Sequence, residues 1–177
     1  DFSAQLTNIQ GKNPDAVVIC SLYQEGALIL KKMREMGMNQ PVLGDNGFVS
    51  PELGKLAGNA ADNVYVSSMW SPNRNDEKTK AFVANYTKKY GHAPDQFAAG
   101  AYDWVYMVVD AMKRAGTTTD KAKIRDAMAQ MKNFNGVCGT FSFNEKRDPV
   151  VDLVLLKMND GVFQAANWLT IKKKKES

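Results

Sequence analysis

The 177-residue chain is 44% hydrophobic and 24% charged, an ordinary globular composition that suits one medium domain or two small lobes. It holds no run of 18 apolar residues, which excludes a spanning helix. Asp1-Phe2-Ser3 lacks the basic start and apolar run of a signal peptide, so for an exported protein the targeting segment is expected upstream or removed. The net charge of +4 is modest, and four of the 23 basic residues form Lys172-Lys173-Lys174-Lys175. That run reads as a solvated tail, not as the folded basic face that nucleic acid requires.

Residues 3 to 11 read as a helix with Phe2, Leu6 and Ile9 on one face and Gly11 as its stop. Asn13-Pro14-Asp15 is a turn into the first strand. Pro14 to Phe48 is the most informative stretch. Ala16 to Cys20 reads as a buried strand and Ser21-Leu22-Tyr23 as a turn. An amphipathic helix follows from Gln24 to Met36, with Ala27, Leu28, Leu30, Met33 and Met36 alternating with Lys31, Lys32, Arg34 and Glu35, the stripe of a helix lying on a sheet. Gly37 ends it. Pro41-Val42-Leu43 is the next strand, and Gly44-Asp45-Asn46-Gly47-Phe48 the loop after it. This β-α-β unit places polar groups at the carboxyl ends of two parallel strands, where ligands bind in open α/β sheets.

Ser50-Pro51-Glu52 reads as an N-cap with proline at N1, and residues 63 to 68 alternate as a strand. Ser71 to Asp76 is polar and turn-rich, a connection between lobes. A helix is expected from Glu77 to Tyr90. A longer one opens near Asp95 and runs to Arg114, containing Tyr102, Trp104, Val105, Val108, Val109 and Met112, with Gly116 closing it. Thr119-Asp120 caps one more helix, to about Met131. Strands are expected at Gly139 to Phe143, Val151 to Met158 and Val162 to Ile171, the last two joined by an Asn159-Asp160-Gly161 hairpin turn.

Little here suggests catalysis. His92, the only histidine, sits in a Tyr-Gly-His-Ala-Pro turn with no nucleophile motif beside it. Together with the distant Cys20 and Cys138 it makes no zinc set. Both cysteines read as unpaired thiols. Gly11, Gly44 and Gly47 form no phosphate loop. No enzyme and no cofactor is expected.

The ordered features point to a family. Asp1-Phe2-Ser3-Ala4-Gln5-Leu6, Asn13-Pro14-Asp15-Ala16-Val17, Tyr23-Gln24-Glu25-Gly26-Ala27-Leu28 and Pro41-Val42-Leu43-Gly44 occur in sequence. Phe82-Val83, Tyr86, Tyr90-Gly91, Pro94-Asp95, Ala101-Tyr102-Asp103, Val105-Tyr106 and Phe134-Asn135-Gly136-Val137 with Gly139-Thr140 follow. In this order and spacing the chain resembles the C-terminal half of type I periplasmic binding proteins, the leucine/isoleucine/valine-binding family of ABC transporters.

The resemblance implies an α/β fold of parallel sheets with flanking helices, incomplete, a fragment of two lobes. Residues 1–70 would be the latter part of the second lobe, 71–150 the return segment of the first, and 151–177 the crossover strands and basic tail. It implies a small-molecule ligand, an amino acid or related acid, and a membrane permease as partner. It also implies a periplasmic or extracellular, membrane-anchored parent. A ligand-sensing domain of the same fold, or a fragment with no ligand, are the alternatives. The family's first lobe begins with β-α-β repeats that this chain does not carry, so association with that N-terminal part or with a second copy, a domain-swapped dimer included, is expected.

The resemblance also names ligand-binding candidates. The loop matching Gly44 to Gly47 often supplies an acid for the ligand's ammonium. Asn46 stands at that position, with Asp45 just before it. Tyr23 or Leu22 matches a ligand-lining tyrosine, and Trp70 at the expected crossover supplies an aromatic wall. Asn46-Gly47 also reads as an ordinary turn and as a pair prone to deamidation.

Overall fold

The computed structural model describes residues 1–166. The chain divides into two compact units, one of residues 1–68 and 154 onward, the other of residues 69–153.

The first unit is a mixed sheet backed by helices. α1 (Ser3–Gln10) leads to β1 (Val17–Ile19), α2 (Tyr23–Glu35) and β2 (Val42–Gly44). α3 (Pro51–Ala57), β3 (Val64–Ser68), β7 (Val154–Asn159) and β8 (Val162–Ala165) complete it. The strand order is β1-β2-β3-β7-β8. The first three strands are parallel, as the β-α-β pattern requires, whereas β7 and β8 join antiparallel. The sheet's inner face carries Val17, Ile19, Val42, Val64, Val66, Leu156 and Met158. These bury against Ala27, Leu30 and Met33 of α2, Leu53 and Ala57 of α3, and Leu6 of α1. The two ends of α3 follow from its sequence. Ser50 accepts the Glu52 N–H at 3.2 Å, with Pro51 at N1, and the helix stops at Gly58. Asp160 and Gly161 both take positive φ at the β7–β8 turn, as a two-residue hairpin needs.

Among the described residues, the outer face of the same sheet is open. Val18, 70% exposed, stands in register with Leu43, which stands in register with Tyr65. The expected buried strand at Ala16 to Cys20 is therefore corrected. β1 is a three-residue edge strand buried on one face only, and Cys20 lies past its end, exposed. Apolar runs mark strands buried on both faces; here the second face has no cover among the described residues.

The second unit holds α4 (Glu77–Tyr90), α5 (Gln96–Ala115), α6 (Lys121–Ala129) and a small antiparallel sheet of β4 (Phe134–Asn135), β5 (Thr140–Phe143) and β6 (Pro149–Val150). Each helix is capped by an aspartate. Asp76 accepts the Thr79 N–H at 2.9 Å, Asp95 the Ala98 N–H at 2.8 Å, and Asp120 the N–H groups of Ala122 and Lys123 at 3.1 Å. Burial works against the Asp76 charge, but the Thr79 N–H, Arg74 and the Thr79 hydroxyl outweigh it and hold its pKa below the ordinary value. Gly91 and Gly116 close α4 and α5 in left-handed conformation, where a side chain would be strained. The strand expected over Val151 to Met158 starts later than expected. β6 ends at Val150, and β7 starts at Val154 in the other unit. The last expected strand is described to Ala165; its remainder and the lysine run lie outside the described residues.

Both cysteines are free. Burial pushes the Cys138 thiol up to about 12, with the Asp103 charge and hydrogen bond adding to it and Arg74 opposing. Thiolate is the reactive form. Iodoacetamide at neutral pH is therefore expected to alkylate Cys20 first and Cys138 only on unfolding, as peptide mass spectrometry would report. Equal labelling in the folded protein would contradict this placement.

Candidate functional site

The loops after β1 and β2 leave the same end of the sheet, because the two strands are parallel and in register, Ile19 opposite Gly44. They are tied together at once. The Asp45 N–H donates to the Ile19 carbonyl at 3.3 Å. Gly47 presses on the Ser21 carbonyl so closely that a Cβ would overlap it. Asn46–Phe48 forms a single 3-10 turn capped by Asp45, whose Oδ1 accepts the Gly47 N–H at 3.1 Å.

Phe48 anchors this turn. Its ring is fully buried between Gly26 in the first turns of α2 and Gly44 at the end of β2. A Cβ at Gly26 would stand 2.5 Å from the ring's Cε1, and one at Gly44 would overlap the ring. Both positions therefore demand glycine for space. The clamp sets Asp45 and Asn46 against the start of α2, where Leu22 is the N-cap residue and Tyr23 the first helical residue.

The structure thus brings four of the five expected residues to one end of one sheet. Leu22, Asp45 and Asn46 are exposed there, and Tyr23 is half-buried against the core. Trp70 belongs to the other unit. It is 1% exposed and meets Phe82 edge-on, ring centroids 5.9 Å apart. Its position is that of a core residue.

A buried carboxylate in the second unit was missed by sequence reasoning. Asp103 of α5 is 3% exposed. It accepts the N–H groups of Val137 and Cys138, both at 2.7 Å. Gly136 packs against the carboxylate with no room for a Cβ, and Arg74 donates to the Cys138 carbonyl at 3.3 Å. The signal was available: Asp103 shares the helical stripe of Gln96, Ala99, Met107 and Ala111, the buried face of α5. The apolar residues Trp104, Val105, Tyr106 and Val109 are instead exposed. Beside them a groove of about 1090 Å³ runs between α4 and α5, lined by Phe82, Tyr86, Tyr90, Tyr102 and Tyr106. Among the described residues no cluster of three or more metal-ligating side chains occurs, and no helix is long and apolar enough to cross a membrane.

The loops gathered at the carboxyl ends of these parallel strands lie where ligands bind in open α/β sheets. The family model for periplasmic binding proteins matches residues 1–162, and the chain belongs to that family. A Leu/Ile/Val-binding protein homolog 1 of Brucella abortus is 26% identical over 170 residues, 96% of this chain and 45% of the relative. The crystal structure of a leucine binding protein, LivK, from Thermotoga maritima superposes with a TM-score of 0.85 at 32% identity, covering 94% of this chain and 48% of that one. LivJ of Streptococcus pneumoniae, a branched-chain amino acid transporter substrate binding protein in complex with isoleucine, superposes at 0.80 with 36% identity and the same coverage. The chain spans about half the length of these relatives.

Proposed function

We propose that this chain is part of the extracytoplasmic solute-binding component of an ABC transporter, taking a branched-chain amino acid or a related small acid and delivering it to a membrane permease. In this reading it binds and releases, and does not catalyse. The first unit, residues 1–68 with β7 and β8, is the latter part of one lobe, and the second unit the returning segment of the other. The supporting observation is the paired loop at the ends of β1 and β2, held by the Asp45 N–H on Ile19, in a chain like proteins named for leucine and isoleucine.

Leu22 and Tyr23 provide apolar lining, and Asp45 and Asn46 provide acceptors for an ammonium, because a buried charge must be paired. Trp70 contributes through the packing of its unit. The test is titration calorimetry on the full-length protein, with a panel of amino acids. Asn46→Asp is expected to strengthen binding of an α-amino acid by roughly tenfold, since a charge-assisted hydrogen bond is about twice as strong as a neutral one. Unchanged affinity for every ligand would remove Asn46 from the site.

The exposed circumference of α5 supports a second element of the proposal. A helix apolar on nearly all sides is a buried helix, so its outer face is covered by the missing N-terminal part of the same fold or by a second copy, domain swapping included. Light scattering on the 177-residue chain alone is expected to show association that added N-terminal half suppresses. A monodisperse monomer with a cooperative melt would overturn it.

A further inference from the structure

We propose that Asn46 is the site of spontaneous deamidation in this protein, and that Asp45 sets its rate. The inference does not rest on the binding reading. The sequence has two Asn-Gly pairs, Asn46-Gly47 and Asn135-Gly136, and the fold treats them differently.

In the reaction, the backbone nitrogen of Gly47 attacks Cγ of Asn46 and gives up its proton. The bond from Cγ to the amide nitrogen Nδ2 breaks, and that nitrogen leaves as ammonia. The product is a five-membered succinimide. Water then adds to either ring carbonyl and opens it to aspartate or isoaspartate. Water is consumed and ammonia released, with no change of oxidation state.

Two features expose Asn46 to this step. Its side chain lies on the surface, in a single 3-10 turn. The residue after it can only be glycine, because any Cβ at position 47 overlaps the Ser21 carbonyl. Packing therefore fixes beside Asn46 the residue type that hinders the attacking nitrogen least.

The other pair is locked. The Gly136 N–H donates to the Gly139 carbonyl at 2.9 Å. The next two N–H groups are held on the buried Asp103 carboxylate at 2.7 Å, and Lys78 Nζ donates to the Asn135 carbonyl at 2.6 Å. Cyclisation at Asn135 would dismantle this turn. At Gly47 the attacking N–H is held by an exposed side chain instead. The Asp45 carboxylate accepts it at 3.1 Å, and the negative charge opposes the amide anion through which attack proceeds.

The products differ in consequence. Aspartate adds a second negative charge beside Asp45. Isoaspartate adds a methylene to the backbone between β2 and Phe48, and so moves the turn that the Phe48 clamp positions.

The test is incubation of the intact protein at mildly alkaline pH, with peptide mass spectrometry at intervals. The peptide holding Asn46 is expected to gain one mass unit several-fold faster than that holding Asn135. In denaturant the two rates are expected to converge. Asp45→Ala, shown folded by circular dichroism, is expected to speed the gain at Asn46 several-fold. Asn46→Gln is expected to abolish it while leaving Asn135 unchanged. Equal rates in the folded protein, the same inequality in denaturant, or an unaltered or slower Asp45→Ala would each overturn the proposal.

Discussion

Replacing Asp103 with alanine is expected to destabilise the second unit by about 2–6 kcal/mol, the cost of two buried N–H groups left without partners at about 1–3 kcal/mol each. The carboxylate ties α5 to the turn of residues 136–138 through its bonds to Val137 and Cys138. Gly136 packs directly on the carboxylate, with no room for a Cβ. Asp103→Asn retains one acceptor oxygen but turns an NH₂ group toward the other N–H, so an intermediate loss is expected. Urea denaturation of the full chain would measure both. Hydrogen exchange at Val137 and Cys138 would localise the effect, and faster alkylation of Cys138 would accompany it. A loss below about 1 kcal/mol for the alanine variant, within the range of an ordinary hydrogen bond, would mean that the turn finds other acceptors.

This aspartate marks where the sequence was legible and where it was not. Helix ends were readable because their chemistry is local. Ser50, Asp95, Asp120, Gly91 and Gly116 each act within a few residues of themselves. The β-α-β order and the Asp160-Gly161 turn were readable for the same reason. Which face of an element is buried is not a local property. α5 carries apolar residues around most of its circumference, and the face it buries here holds Gln96 and Asp103. The strand at Val17 to Ile19 carries the apolar run of a doubly buried strand, yet one face is open. In both cases the composition fits more cover than the described residues supply, which agrees with a chain about half the length of its relatives. The candidate site was legible as two loops at two strand ends. The clamp that sets those loops was not, because Gly26, Gly44 and Phe48 meet only after α2 has folded back over β2.

That clamp carries the other large effect. Phe48→Ala is expected to cost about 3–5 kcal/mol, as removal of a fully buried phenylalanine does. The ring contributes transfer energy, and it also occupies the space against Gly26 and Gly44. Gly44→Ala approaches the same fault from the opposite side. Its Cβ overlaps the ring, so the ring or β2 must move, at about 1–3 kcal/mol for overpacking. If the two faults share one space, they are coupled. Gly44→Ala combined with Phe48→Leu is then expected to be more stable than the sum of the single changes predicts, by about 0.5–3 kcal/mol. Additive losses would show that glycine is needed at position 44 for some reason other than the ring. The same series separates stability from site geometry. Asp45 and Asn46 lie just ahead of Phe48 in the same turn, so a shifted ring moves them relative to Leu22 and Tyr23. If the turn lines the proposed solute site, Gly44→Ala in the full-length protein is expected to weaken amino-acid binding even at a temperature where the variant is fully folded. The double variant recovers stability first, and recovers affinity only so far as the leucine returns the turn to its place over Ser21.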